Sequence, residues 1–248
     1  LDFTDFNFGS TKSRMFHKKI KQKDRHIAYD LFGAKTGRLT TKKKSFPILT
    51  MDKKYRGILK PKNDYFIELD FNSAEIRTFL ALQGLKQPKE DIHTWIGENV
   101  FKGQITREES KKKFFAWLYN PEAKNEKLEK IFDKNKILDK YWDGYKVRTN
   151  YDREIEAGRK HALNYLIQST TSDLFLRRMI EVWRLLRARM SIIAFCIHDS
   201  LVIDFSIEDK LLLQKIMDSF TNTELGVFKA NVSVGKNFGD MRKLEWKQ

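Results

Sequence analysis

Between Ser191 and Phe205 the sequence SIIAFCIHDSLVIDF sets two apolar runs side by side with only His198, Asp199 and Ser200 between them. This pattern predicts a hairpin with polar residues at its tip. DYFIELDF, residues 64 to 71, is strand-like as well: Tyr65, Ile67 and Leu69 fall on one side and Phe66 on the other. Its end carries Asp70. Antiparallel packing of the two segments would bring Asp70 and Asp199 together although they lie 129 positions apart in the chain.

The remaining pattern is mostly helical. Residues 1 to 30 mix aromatic and basic residues without a clean period, and TKSRMFHKKIKQKDR reads as a solvated cationic helix or arm with little share in the core. Gly33, Gly37 and Pro47 punctuate the stretch from Tyr29 to Thr50, which predicts short strands and loops. A helix is expected over residues 73 to 82 from an Asn/Ser cap, and two more over 90 to 101 and 106 to 119. The last of these opens on Thr106 with Glu109 three positions on, a capping box. Residues 121 to 143 are almost wholly charged and amphipathic, and YKVRTNYDREI reads as strand or turn. The longest helical run covers 156 to 189, and a helix near 208 to 220 and a strand near Ala230 to Val234 close the pattern.

Composition narrows the function classes. The 248 residues carry 41% hydrophobic and 13% aromatic side chains, enough for a folded core. Lys and Arg number 48 against 33 Asp and Glu, a formal charge of +15 that favours a polyanionic partner, with nucleic acid the leading candidate and a lysine-rich solubilising surface the plainer reading. One cysteine, Cys196, rules out an internal disulfide and a cysteine-based zinc site, and fits a reducing compartment. No apolar run approaches membrane-spanning length, and the first residues lack the order of a signal peptide.

Two constellations can carry chemistry. Carboxylates at two strand ends suit hard divalent cations such as Mg²⁺, although an isolated Asp more commonly caps an element. Arg107, Lys111, Phe115 and Tyr119 recur every fourth residue, so on a helix they form one slowly turning stripe of two cations and two rings. Cations can take a triphosphate and rings can face a base or sugar; the plainer alternative is an amphipathic helix with aromatics in the core and basic residues at its rim.

At these residues a family resemblance emerges. Asp70-Phe71-Asn72-Ser73-Ala74-Glu75-Ile76-Arg77 resembles the D-Y-S-Q-I-E-L-R motif of family A (DNA polymerase I-like) DNA polymerases, keeping its Asp, Glu and Arg. The stripe from Arg107 to Tyr119 is similar to that family's R-x3-K-x3-F/Y-x3-Y-G helix, and His198-Asp199-Ser200 to its H-D-E. Thr36-Gly37-Arg38-Leu39-Thr40-Thr41 resembles T-G-R-L-S-S, Asp91-Ile92-His93 resembles D-I-H, and Asn164 with Gln168 resembles N-x3-Q. Six motifs in family order span roughly residues 29 to 240.

The resemblance implies an α+β fold: a right-hand polymerase palm, an antiparallel sheet with flanking helices, carrying a helical fingers insertion. The palm would come from residues 1–83, including the basic arm, and 151–248, with fingers over 84–150. The implied activity is template-directed addition of dNTPs to a primer 3′-hydroxyl by two-metal phosphoryl transfer on primer-template DNA. Asp70, Asp199 and the Phe71 carbonyl would hold two Mg²⁺ ions. His93, Arg107 and Lys111 would grip the triphosphate, and Lys111 could protonate the leaving pyrophosphate. Glu75 would exclude a 2′-hydroxyl, Phe115 would pack on the incoming sugar, and Tyr119 would stack near the template and support Glu75. Arg38, Asn164 and Gln168 would read the minor groove near the primer end, and His198 would steady the primer terminus.

Departures from the family pattern set further expectations. Ser200 replaces an acidic residue, Asn120 followed by Pro121 replaces a glycine, and only 44 residues separate Tyr119 from Asn164, so the fingers are expected to be trimmed. The N-terminal region is too short for a thumb plus a proofreading exonuclease, so no trimming of mismatched ends is expected. Grip on DNA would be weak without a separate thumb, exonuclease or processivity partner. A cytoplasmic or nucleoid location is expected, and the lysine-heavy composition hints at a low-GC, viral genome. The rival readings are a phage-type single-subunit RNA polymerase, whose motif commonly reads H-D-S, and an inactive polymerase-fold subunit that only binds nucleic acid. Glu75 opposes the first and the retention of both Asp70 and Asp199 opposes the second.

Overall fold

The structure is a computed structural model and describes residues 1–23 and 25–245. Asp24 of the expected basic arm and residues 246–248 of the expected palm lie outside the described residues.

Along the chain, Ser10 caps α1 (Thr11–Lys21), its hydroxyl accepting from the Ser13 amide at 3.1 Å, and Lys18, Lys19 and Lys21 in the last turn suit the helix dipole. Two short strands follow, β1 (Tyr29–Asp30) and β2 (Thr40–Thr41), then the apolar β3 (Tyr65–Phe71). Next come α2 (Ala74–Leu82), α3 (Ile92–Asn99), α4 (Arg107–Tyr119), α5 (Glu126–Glu129) and α6 (Lys134–Tyr141). A small pair, β4 (Lys146–Arg148) and β5 (Glu154–Glu156), precedes the 28-residue α7 (Arg159–Leu186). The hairpin is β6 (Ile192–Ile197) and β7 (Ser200–Phe205), followed by α8 (Leu213–Thr221). β8 (Asn222–Thr223) pairs with β9 (Gly226–Val227), and β10 (Ala230–Gly235) and β11 (Arg242–Leu244) end the described chain.

The described chain divides into two compact units: residues 1–70, 178–220 and 230–245 form one, and 71–177 with 221–229 form the other. In the first unit a five-stranded sheet runs β11-β10-β3-β7-β6, and the β10–β11, β3–β7 and β6–β7 pairs are all antiparallel. The side chains of Phe66, Phe195, Ile197, Val202 and Phe238 build its core, joined by Ile48, Met51, Tyr55, Ile58 and Ile20. Here the N-terminal segment departs from expectation. Phe3, Phe6 and Phe16 pack against this core and Ile20 is buried in it, with Phe16 stacked on Tyr55 at 4.1 Å, so α1 is an amphipathic core helix rather than a solvated arm. On the border strand β6, the Tyr29 hydroxyl donates to the Cys196 carbonyl at 2.6 Å and accepts from the Cys196 amide at 2.7 Å.

In the second unit Ile76, Phe79 and Leu80 of α2, Ile92 and Ile96 of α3, Phe114, Trp117 and Leu118 of α4 and Leu163, Leu166 and Ile167 of α7 share one core. Leu128, Phe132 and Ile137 are buried in it too, so the charged stretch 121 to 143 anchors itself with three apolar side chains. α7 begins at Arg159 rather than 156, because residues 154 to 156 are paired in β5. Among the described residues no helix is long and apolar enough to cross a membrane.

Candidate active site

Register in the sheet brings the two aspartates together. β3 runs antiparallel to β7 with Asp70 opposite Ser200, and β6 pairs Ile197 with Ser200, leaving His198 and Asp199 as a two-residue turn. His198 takes the positive φ of 53° that the first central position of such a tight turn demands. That φ is a left-handed conformation a histidine adopts at some cost, and it leaves His198 exposed and Asp199 half-buried. Burial, then the charges of Asp199 and Glu68, push the Asp70 carboxyl up to about 7, against a hydrogen bond from Asn231 and the charge of Lys243. Arg38 is exposed, just after the buried Thr36 and Gly37 of the β1–β2 loop.

This carboxylate pair fits a divalent cation. Two hard oxygen donors crowded until one of them resists ionising are relieved by a positive ion between them, and water and backbone carbonyls commonly complete such a shell. Among the described residues no set of three or more His, Cys, Asp or Glu side chains gathers closely enough to hold an ion.

In the second unit the Arg107–Tyr119 helix is capped as the sequence predicts. The Thr106 hydroxyl accepts from the Glu109 amide at 3.2 Å and the Glu109 carboxylate accepts from the Thr106 amide at 2.8 Å. Ser110, Phe114, Trp117 and Leu118 take the buried face, so Arg107 and Lys111 stand exposed and Phe115 and Tyr119 half-buried. The two rings stack at 5.7 Å and 13°, the His93 ring lies 5.8 Å from Phe115, and the Tyr119 hydroxyl donates to Glu75 Oε2. Four of the residues singled out in the sequence, Glu75, His93, Phe115 and Tyr119, thus form one connected group.

Arg107 is fully engaged. Its Nε and Nη2 each reach Asp91 at 2.9 Å, and Nη1 reaches Glu108 at 2.7 Å. Burial alone would raise the Asp91 carboxyl, but hydrogen bonds from Arg107 and Asn72 hold it well below the usual carboxylate range. Asp91 also caps α3, accepting from the His93 and Thr94 amides at 3.1 and 3.0 Å. His93 is buried, with Nε2 2.9 Å from the Ser73 hydroxyl, and burial plus the nearby Arg107 and Lys111 charges lower it to about 4, so it is neutral at pH 7. Asn164 and Gln168 sit one turn apart on α7, both half-buried, and Asn164 Oδ1 has no partner among the described residues.

Three residues matter here to which sequence reasoning gave no role. Asn72 donates to Asp91 Oδ2 at 2.9 Å and accepts from the Ile92 amide at 3.1 Å. Arg77, fully buried, donates to the carbonyls of Asn72, Pro88 and Glu90 at 2.8, 2.8 and 2.9 Å and to Asn72 Oδ1 at 3.1 Å. Glu68 shares the Asp70 face of β3, and the period-two alternation that places it there was readable from DYFIELDF.

No protein-family profile matches the sequence, and no curated protein matches it. Among solved structures the fold is similar to the POL domain of Pol1 from M. smegmatis in complex with DNA primer-template and dNTP, with a TM-score of 0.72 and 17% identity. The match covers 92% of this chain and 51% of that one, so the chain spans about half the length of its solved neighbour. The fold is therefore α+β and polymerase palm-like, an antiparallel sheet with helices and a helical insertion.

Proposed function

We propose that this chain is the core of a family A-like DNA polymerase, adding dNTPs to a primer 3′-hydroxyl on a DNA template. The observation that carries the reading is the β3–β7 register, with Asp70 opposite Ser200 and hence beside Asp199 at a strand turn. Fold likeness to a domain solved with DNA primer-template and dNTP supports the same partners for this chain. So does the formal charge of +15. Residues 1–83 and 151–248 serve as palm and 84–150 as fingers.

Asp70 and Asp199, with the Phe71 carbonyl, would hold two Mg²⁺ ions, which supply charge neutralisation at the attacking and leaving oxygens of phosphoryl transfer. The chain's own groups do the rest. Lys111 offers the triphosphate an exposed cation and can hand a proton to the leaving pyrophosphate. Arg107 takes the triphosphate by exchanging Asp91 for phosphate oxygens, one anionic partner for another. His93, neutral at pH 7, binds as a hydrogen-bond partner rather than as a charge. Glu75, held by the Tyr119 hydroxyl, fills the volume a 2′-hydroxyl needs, and Phe115 faces the sugar. Arg38, Asn164 and Gln168 read the minor groove, where an acceptor is common to all base pairs, and His198 steadies the primer terminus. One observation favours a second reading: Ser200 matches the H-D-S of phage-type RNA polymerases, and Glu75 opposes it.

The test is primer extension on a defined template with dNTPs or rNTPs, with and without Mg²⁺. Asp70→Ala and Asp199→Ala should each abolish extension while duplex binding persists. Turnover retained by either folded variant would refute the assignment.

A further inference from the structure

The sheet face that carries Asp70 changes character along its length. On β3 it presents Phe66, then Glu68, then Asp70, and across on β7 it presents Asp204, Val202 and Ser200. Phe66 and Val202 belong to the apolar core, so Glu68 stands where that core gives way to carboxylates. It is half-buried on the central strand of the sheet, a place where an acid is costly unless something uses it. Its directly opposite residue is Val202, which offers it no hydrogen bond from a side chain. The diagonal neighbour does: the Ser200 hydroxyl donates to Glu68 Oε1 at 2.7 Å. Ser200 is itself almost fully buried, so this bond forms away from bulk water. The charge of Glu68 is also felt at Asp70.

We propose that Glu68 is a positioning residue of the carboxylate site, supplying from β3 the negative charge that Ser200 does not supply from β7, and tying the residue after Asp199 to the strand of Asp70. The inference rests on the metal-dependent reading of Asp70 and Asp199. Glu68 acts through its field and through Ser200 rather than as a ligand, since the described acids do not gather into a three-residue cage. The two functions separate by chemistry. Charge sets how strongly a divalent cation is drawn to the aspartates, whereas the Ser200 bond sets how firmly the Asp199 turn is held against β3.

The full chain is titrated with Mn²⁺ alone, followed by electron paramagnetic resonance, and primer extension is measured against Mg²⁺ concentration. Glu68→Gln keeps an acceptor for Ser200 and removes the charge; Mn²⁺ affinity should fall and the half-saturating Mg²⁺ concentration should rise by about five- to tenfold, the size of one nearby charge in a partly solvated site, with turnover at saturating Mg²⁺ little altered. Ser200→Ala keeps the charge and removes the tether; it should lower saturating turnover with less than a twofold change in Mn²⁺ affinity. The double variant Glu68→Gln with Ser200→Asp returns the charge from the other strand and should recover most of the affinity. Unchanged Mn²⁺ affinity in Glu68→Gln, or no recovery in the double variant, overturns the proposal even if the wild type extends primers. A wild type that binds Mn²⁺ in a Glu68-dependent way but extends no primer would instead remove the polymerase reading and leave this inference standing.

Discussion

Arg77 is the buried cation on which the second unit's polar chain depends, and replacing it gives a test with a worked sign. Its four hydrogen bonds go to three carbonyls and one side-chain amide oxygen, and its guanidinium is 0% exposed. Removing the guanidinium with Arg77→Met leaves four buried acceptors short of a donor, at about 1–1.5 kcal/mol each, or roughly 4–6 kcal/mol in all. Against this, burial lowers the Arg77 guanidinium to about 10, and at 1.36 kcal/mol per unit the charge itself costs about 3 kcal/mol, which Met relieves. The net destabilisation expected for Arg77→Met is therefore about 1–3 kcal/mol. Arg77→Lys keeps the buried charge but cannot reach four acceptors from one ammonium, so it loses bonds without relieving the cost and should be the more damaging variant. Equilibrium urea unfolding gives the stabilities, and hydrogen exchange at the Ile92, His93 and Thr94 amides reports whether the α3 cap loosens with them. Arg77→Lys as stable as wild type, or milder than Arg77→Met, would refute the reasoning.

Buried neutral His93 makes stability depend on pH. Its folded value near 4 lies below the unfolded 6.5, so the unfolded chain binds more protons between them and stability rises with pH across that window, by about 2–3 kcal/mol; below pH 4 this contribution is gone. Unfolding free energies from pH 4 to 7 should show the slope in wild type and lose most of it in His93→Gln; an unaltered slope would clear His93 of it. Glu75→Ala should narrow the dNTP over rNTP preference, read as a ratio of kcat/KM values, and should also remove the hydrogen bond that the Tyr119 hydroxyl donates to Glu75; an unchanged ratio in an active variant removes Glu75 from sugar selection. Phe115→Tyr should raise dideoxynucleotide incorporation several-fold relative to dNTP in single-turnover extension, because one hydrogen bond of about 1 kcal/mol replaces that of the missing 3′-hydroxyl. A level ratio would leave Phe115 as a packing residue between His93 and Tyr119.

The elements that read correctly in advance are those whose signal is local. The Ser191–Phe205 hairpin is two apolar runs around a polar tip, and the Thr106–Glu109 box is written in four consecutive residues; both form as expected. The proximity of Asp70 to Asp199 needed only the pairing of two strands. The Asn72–Arg77–Asp91 network could not be read this way, because Arg77 bonds the carbonyls of Pro88 and Glu90, and every residue has a carbonyl. Glu68 was passed over for a different reason: in an alternating strand a polar residue is what the solvent side is expected to carry, and only the position of Ser200 shows what it faces. The core role of Phe16 and Ile20 was masked by the lysines around them on α1, and Phe3 and Phe6 precede that helix and share no period with it.

The Tyr29 hydroxyl on Cys196 has a consequence for how the protein behaves at high concentration. β6 is a border strand whose outer N–H and C=O groups would otherwise offer a template for another copy, and apolar, β-branched borders are where chains pair edge to edge. By both donating to and accepting from Cys196, the penultimate residue of β6, a single phenol closes the turn end of that edge and stops any ladder that starts from the exposed Ile192 before it reaches the hairpin turn. The protection is borrowed from β1, so whatever loosens the β1–β2 loop uncovers the edge. Conditions that melt this loop before the sheet should therefore bring ordered aggregation rather than simple unfolding.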